Sequence, residues 1–197
     1  PIYLREKIME LIDREIEFAK QGEEAYIIGK MNSLLDKEVI AKLYEASAAG
    51  VRIDLIVRGI CTLRPGIAGV SDNITVRSVV GRFLEHHRLF YFHNGGNESL
   101  FLSSADWMPR NLNERVELMI PIEDKRHKER VKGILDLYLE DTLKAHIMRA
   151  DGSYRKINDR EHPISAQEEL MKEAIAREHK ESMTVIERLQ PMFKMNK

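Results

Sequence analysis

Two short motifs bring together side chains that could bind and transfer phosphate. The first is His86-His87-Arg88, and the second is Ser103-Ser104-Ala105-Asp106, which follows a glycine turn. A histidine near its ordinary pKa of about 6.5 can give or take a proton at neutral pH. An arginine can hold phosphate oxygens through two parallel hydrogen bonds. Small hydroxyl residues let a ligand approach the backbone, and Asp106 could orient a cation or a histidine.

The two adjacent histidines cannot both face one site. Neighbouring side chains of an extended strand point to opposite faces, so His86 shares a face with Arg88, and His87 points away. The competing interpretation makes one histidine a surface residue and the other the partner of a buried backbone group. The arginine two residues after His86 favours His86 as the site residue.

The central part of the chain uses arginine and no lysine. Eight arginines lie between Arg52 and Arg115, whereas lysine is common on both sides of this interval. A guanidinium keeps its charge and grips phosphate with a planar fork, which lysine lacks. The alternative is that these arginines pair with the six acids of the same interval at the surface. Arg58 is the strongest candidate, because it ends an apolar strand at the edge where open α/β sheets bind ligands.

Composition restricts the class of protein. The chain has 197 residues, of which 43% are hydrophobic, enough for one compact domain with a tail. Lys and Arg (31) balance Asp and Glu (32), so phosphate affinity must come from a local cluster and no nucleic-acid partner is expected. The single cysteine excludes internal disulfides, and there is no long apolar run to span a membrane. We expect a cytoplasmic protein, with peripheral membrane attachment left open.

Hydrophobic periodicity predicts an α/β fold with a mixed β-sheet flanked by helices. The predicted elements, in chain order, are helix 4–21, strand 25–32, helix 37–48 capped by Asp36, strand 51–59, strand 74–80, two strands within 88–104 around the Asn94-Gly95 turn, strand 115–122 and helix 125–146 capped by Asp124. The first strand, helix and strand predict a βαβ unit with parallel strands. The later hairpin predicts antiparallel pairing.

The chain changes character at Asp151. The following residues are polar and rich in turn formers, and residues 164–189 predict a charged helix with a narrow apolar stripe. We therefore divide the chain into a domain at 1–150 and an extension at 151–197, made of a polar linker and a C-terminal helix.

The motifs resemble two related families. His86-x-Arg88 followed by Ser103-Ser104-x-Asp106 is similar to a half-motif of the phospholipase D superfamily, in which His-x-Lys and a Gly-Ser-x-Asn-like element build a phosphoryl-transfer site. Arginine replaces that lysine here. Longer segments look like the C-terminal domain of bacterial polyphosphate kinase, over about residues 6–149: "KMNSLLD", "LYEASAAGVRIDLIVRGICTLRPGIAGVSDNI", "GRFLEHHRLFYFHNGG" and "LFLSSADWMPRN".

The second resemblance implies a phospholipase D-like domain of a multidomain, homo-oligomeric enzyme that transfers the terminal phosphate of ATP to polyphosphate through a phosphohistidine. The phosphohistidine and the Mg²⁺ ligands are then expected in the preceding domain, outside this chain. Arg58, in "VRGIC", and His86, in "LEHHR", are expected at the ATP phosphates, with His86 as proton donor or acceptor. The implied ATP- and phosphate-binding residues, which include no metal ligand, are Arg58, His86, Arg88, Ser103, Ser104 and Asp106.

Three functions stay open on the sequence. The first is half of a polyphosphate kinase site, inactive in isolation because half of the positioning groups are missing. The second is a phospholipase D-type phosphodiesterase or nuclease that pairs two half-sites in a homodimer. Arg88, in place of the lysine of that motif, argues against this function. The third is a non-catalytic module that binds polyphosphate along its arginines.

Overall fold

A mixed β-sheet organises the chain, and the computed structural model describes residues 3–157, 159 and 161–178, within which eight strands form this sheet. The strands are Tyr26–Met31 (β1), Arg52–Val57 (β2), Ile74–Val79 (β3), Arg88–Phe92 (β4), Ser99–Ser103 (β5), Met119–Pro121 (β6), Ala145–Met148 (β7) and Tyr154–Lys156 (β8). The helices are Leu4–Lys20 (α1), Lys37–Ala48 (α2), Pro109–Asn113 (α3), Lys125–Glu140 (α4) and residues 166–178 (α5). In the described part, each of these helices is too short or too polar to cross a membrane.

The sheet is parallel in the middle and antiparallel at both sides. Its strand order is β6-β5-β4-β1-β2-β3-β7-β8. Strands β1, β2 and β3 pair in parallel, and β4 joins β1 in the antiparallel direction. The predicted α/β class and mixed sheet are confirmed, as are the βαβ unit and the hairpin of β4 and β5. The hairpin turn needs left-handed backbone, which Asn94 (φ 53°) and Gly95 (φ 58°) supply.

Helices cover both faces of the sheet, which explains why its central strands are almost continuously apolar. On one face, Ile27 and Phe90 pack in a core with α1 and α2. On the other face, Ile28 and Leu89 pack in a second core with α4. Asp36 starts α2 as predicted, because its carboxylate accepts a hydrogen bond from the backbone N–H of Val39 at 3.1 Å.

The helix predicted over 125–146 ends early, and this prediction is wrong at its C-terminal end. Helix α4 stops at Glu140, and the backbone of Asp141 leaves the helical region (φ −58°, ψ 121°). The Asp141 carboxylate accepts hydrogen bonds from the backbone N–H groups of Lys144 at 2.7 Å and Ala145 at 3.0 Å. This side-chain turn offers the backbone an alternative to the helix, and the chain returns as β7 along β3.

Two further predicted elements differ from the structure. The strand predicted over 115–122 is reduced to β6, and the short helix α3, with a proline in its first turn, was not predicted. The predicted polar linker contains β8, which pairs with β7. A polar edge strand of three exposed residues has no apolar alternation, so periodicity could not reveal it.

The C-terminal helix is present as α5, and its N-terminal end belongs to the core of the domain. Ala166 is fully buried in the same apolar cluster as α4. Its backbone N–H donates to the Asp141 carboxylate at 2.8 Å. The predicted helix residues 179–189 lie outside the described residues, and the domain boundary at residue 150 stays a prediction.

We expect Asp141→Ala to lower the free energy of unfolding by about 3 kcal/mol. The change removes the acceptor of three backbone N–H groups, and unsatisfied buried donors each cost about 1–3 kcal/mol. Urea denaturation of the chain measures the difference. Asp151→Ala is the matched control, because Asp151 is exposed in the β7–β8 turn, and its effect should stay within about 0.5 kcal/mol. Equal effects of the two changes would contradict this role of Asp141.

Candidate phosphoryl-transfer site

The sheet topology brings the sequence motifs to one edge. The parallel strands β1 and β2 end at this edge and continue into Asn32 and Arg58. Strand β4 runs antiparallel to β1, so its first residue, Arg88, lies at the same edge. Strand β5 returns antiparallel to β4 and continues into Asp106. Residues far apart in the sequence therefore meet where open α/β sheets bind their ligands.

The Asp106 carboxylate is the centre of this edge. Asp106 is 6% exposed. Its Oδ1 accepts hydrogen bonds from the backbone N–H of Asn32 at 2.7 Å and from Nδ2 of Asn32 at 3.1 Å. The Arg88 guanidinium binds both carboxylate oxygens, with Nε to Oδ1 at 3.2 Å and Nη2 to Oδ2 at 3.1 Å. This fork geometry orients Arg88 towards His86.

His86 and Arg88 are in direct contact, which agrees with the predicted shared face. Nη1 of Arg88 lies 3.0 Å from Nδ1 of His86 and also donates to the His86 carbonyl oxygen at 3.1 Å. A guanidinium can only donate, so Nδ1 accepts, and a neutral ring carries its proton on Nε2. The exposed side of His86 therefore presents an N–H donor to a ligand.

Arg58 completes the chain of polar contacts. Its Nε donates to Oδ1 of Asn32 at 2.6 Å, which links Arg58 through Asn32 to Asp106. Within the described residues, the two terminal nitrogens of Arg58 have no hydrogen-bond partner. The structure thus assembles Arg58, Asp106, Arg88 and His86 around a common surface. Their role as ligand-binding residues stays a prediction.

Ser103 and Ser104 use their hydroxyl groups elsewhere. Oγ of Ser103 donates to the Leu118 carbonyl oxygen at 2.9 Å and accepts from the backbone N–H of Ala105 at 3.0 Å. Oγ of Ser104 donates to the Glu117 carboxylate and accepts from the backbone of Leu118. Both hydroxyls therefore hold the turn that carries Asp106 against the segment before β6. Their predicted binding of phosphate has no support from these contacts and stays untested.

Asn32 is the residue of this network that the sequence reasoning missed. It follows β1 in the same way as Arg58 follows β2, so its position after an apolar strand was the available signal. Two of the other central arginines have structural partners, of which only Arg52 pairs with an acid as the surface-pair interpretation predicts. Arg52 pairs with Asp54 at 2.8 Å, and Arg77 donates to the Leu139 carbonyl oxygen at the end of α4.

His87 lies on the opposite side of the backbone from His86, as predicted. Its ring packs edge-on against Tyr138 of α4, with 5.9 Å between the ring centroids. Burial, and to a smaller extent the charge of Lys30, lowers the pKa of His87 to about 4. Lys30 itself is 3% exposed and pairs with Glu85 at 3.5 Å. Burial lowers the pKa of Lys30 and raises the pKa of Glu85, and the opposite charge of each partner counteracts these shifts.

Comparison with known proteins identifies the family. A family model described as "Polyphosphate kinase C-terminal domain 2" matches residues 1–167. The chain belongs to this family. The resemblance read from the sequence is thereby confirmed, and the match extends beyond the predicted boundary at residue 150 into the first residues of α5.

Relatives in two bacteria match the chain, one in sequence and the other in both sequence and fold. The polyphosphate kinase of Pseudomonas aeruginosa is 56% identical over 158 residues, which cover 80% of this chain and 23% of that protein. The crystal structure of polyphosphate kinase from Porphyromonas gingivalis matches with a TM-score of 0.86 and 42% identity, over 90% of this chain and 28% of that one. The chain thus spans about a quarter of the length of these relatives.

A more distant structure shares the fold alone. Nuc from Salmonella typhimurium, a phospholipase D family member, matches with a TM-score of 0.53 and 12% identity, over 74% of this chain and 90% of that one. The predicted phospholipase D-like architecture is therefore confirmed.

We expect stability to fall more steeply with acid in the parent chain than in a His87→Gln variant. The pKa of an unfolded histidine is about 6.5, whereas burial lowers the pKa of folded His87 to about 4. Between these values the unfolded chain binds more protons than the folded chain. The contribution of His87 to stability is therefore complete above about pH 6.5 and is lost as the pH falls towards about 4. Glu85, whose pKa is raised, makes stability increase as the pH falls, but this contribution is present in both proteins. Urea unfolding at pH 7 and pH 5 measures the loss, and equal losses would refute this role.

Proposed function

We propose that this chain supplies one half of the site at which a full-length polyphosphate kinase reversibly transfers the terminal phosphate of ATP to inorganic polyphosphate. One observation carries the proposal. The network from Arg58 through Asn32 and Asp106 to Arg88 and His86 fixes two guanidinium groups and an imidazole at one sheet edge. Phosphoryl transfer depends mainly on such positioning and charge neutralisation.

Arg58 is the proposed phosphate clamp. Asn32 holds its Nε, which leaves the two terminal nitrogens as a pair of donors for a ligand. Two parallel donors match two phosphate oxygens, and the guanidinium stays charged at any physiological pH. The proposed substrates are therefore ATP and a polyphosphate chain, both of which present adjacent phosphate oxygens.

His86 is the proposed proton donor or acceptor of the transfer. Arg88 holds Nδ1, so Nε2–H is directed away from the protein and can donate to a phosphate oxygen. A cationic ring needs both nitrogens as donors, so Nδ1 can be protonated only when Arg88 releases it. Arrival of phosphate, which attracts the Arg88 guanidinium, supplies a reason for that release.

The other half of the site lies outside this chain in the proposal. The phosphohistidine and the Mg²⁺ ligands are assigned to the preceding domain of the same enzyme. Asp106 does not fit a metal ligand, because Arg88 and Asn32 already use both of its oxygens. Mg²⁺, when bound by that domain, would help to neutralise the phosphate charges. We therefore expect the isolated chain to be inactive.

The setting of the enzyme is also part of the proposal. A homo-oligomer in the cytoplasm, with the membrane surface as a second location, is compatible with the nearly balanced charges of the chain. The same balance argues against nucleic acid as a partner.

Replacing Arg58 by lysine should weaken binding although the charge is conserved. Lysine cannot keep the bond to Asn32 and also offer two parallel donors, so we expect about tenfold weaker binding of ATP or short polyphosphate, or about 1.4 kcal/mol. Calorimetry on the full-length enzyme at several salt concentrations measures it. Arg52→Lys is the matched control, because Arg52 lies at the other end of β2. If Arg58→Lys binds as tightly as the parent, the clamp is refuted.

The two histidines should differ strongly in their importance for catalysis. In the full-length enzyme, His86→Ala should slow polyphosphate synthesis by about 10²–10⁴, the usual contribution of a general acid or base. His87→Gln should stay close to the parent, because His87 faces Tyr138 and not the site. Steady-state kinetics with ATP and a polyphosphate primer compares them. A larger loss of activity in His87→Gln than in His86→Ala would refute both the face assignment and the proposed role of His86.

A further inference from the structure

The loop that carries His86 lacks regular backbone pairing. Residues 80–87 connect β3 to β4 without a helix or strand. Among the described residues, no backbone-to-backbone hydrogen bond outside the ladders involves this loop. Phe83 is 46% exposed and Leu84 is 80% exposed, so apolar burial of these residues does not fix the loop either. Its conformation must depend on side chains of other segments.

Gln167 of α5 makes two hydrogen bonds to the backbone of this loop. Its Oε1 accepts from the backbone N–H of Phe83 at 2.9 Å, and its Nε2 donates to the Phe83 carbonyl oxygen at 2.9 Å. The side-chain amide thus pairs with Phe83 as a neighbouring strand would. Gln167 is 4% exposed, so these two bonds are protected from competing water.

Gly81 makes room for the Gln167 amide. A Cβ atom at Gly81 would lie 2.9 Å from Cδ of Gln167 and closer still to Oε1. The backbone of Gly81 has no positive φ, so an alanine could adopt its conformation. The glycine is therefore explained by the approach of Gln167 and not by backbone strain.

Gln167 is a firm point of attachment because the start of α5 is itself anchored. The backbone N–H of Ala166 donates to the Asp141 carboxylate at 2.8 Å, and the backbone N–H of Thr142 donates to the Ile164 carbonyl oxygen at 2.9 Å. The loop has further contacts nearer to His86. Glu85 pairs with the buried Lys30.

We propose that Gln167 is a positioning residue for His86, through which the C-terminal segment controls phosphoryl transfer at a site it does not enter. The inference rests on the function proposed above for His86. Gln167 fixes Phe83, three residues before His86, while Arg88 fixes the strand immediately after it. Loss of the first attachment leaves the segment before His86 held only through the pair of Glu85 and Lys30.

Gln167→Ala in the full-length enzyme tests the attachment and its consequence separately. Exchange of the Phe83 backbone amide, which donates to Gln167, should accelerate at least tenfold. The kcat of polyphosphate synthesis should fall about 10–100-fold, since a displacement of about 1 Å can cost 10²-fold. The KM for ATP should change less, because Arg58 is held by Asn32. Glu169→Ala is the matched control on the exposed side of α5, where Glu169 pairs with Lys172.

A double-mutant cycle shows whether Gly81 acts through Gln167. Gly81→Ala alone should reproduce the loss of kcat, because the added methyl group displaces the amide from Phe83. In the Gln167→Ala background, Gly81→Ala should cause less than a twofold further loss, since the obstructing amide is absent. If Gln167→Ala fails to fold, Gly81→Ala still measures the exchange and the kcat.

Each result supports or overturns a defined part of the inference. Unchanged exchange of the Phe83 amide overturns the attachment. Faster exchange with unchanged kcat overturns the positioning role, provided that His86→Ala is inactive. Activity of His86→Ala at the parental level instead refutes the proposed function, whatever the exchange shows. Full additivity of Gly81→Ala and Gln167→Ala would show that the glycine does not act through this amide.

Discussion

The buried carboxylate of Asp106 is the interaction on which the organisation of the candidate site depends. A buried charge is tolerated only when it is paired and hydrogen-bonded, so Asp106 requires both Asn32 and Arg88. These partners come from the end of β1 and the start of β4, and Asp106 itself follows β5. One desolvated group therefore locks three strands in a single relative position. Arg58 and His86 inherit their places from it, since each contacts a partner of Asp106.

The two adjacent histidines have different surroundings. His86 belongs to the polar edge network, whereas His87 packs against Tyr138, close to the buried Lys30. Lys30 also lies over the Tyr138 ring at 4.5 Å and pairs with Glu85. A buried pair of this kind contributes little net stability, but it is costly to break, so it specifies the conformation of the loop. His87 thus belongs to the packing that supports the loop, and a chemical role is proposed for His86 alone.

The C-terminal segment is predicted as a linker from the sequence but forms part of the domain in the structure. As a string of residues it is polar and rich in turns, which is typical of a linker. In the fold, β8 of this segment pairs with β7 and extends the sheet, and Gln167 reaches the loop that carries His86. The contact of Gln167 depends on a partner far away in the sequence. The family match through residue 167 agrees with including the start of α5 in the functional unit.

The fold class, the βαβ unit and the β4–β5 hairpin could be predicted from the sequence. These features follow from local rules, namely periodicity, capping residues, turn residues and strand alternation. The three-dimensional contacts were needed to show that Asn32 joins Arg58 to Asp106, that Ser103 bonds within its own turn, and that α4 ends at Glu140 before β7. Such contacts depend on which strand ends meet at one edge and on which buried polar groups find partners, and neither is encoded in the spacing of residues along the chain.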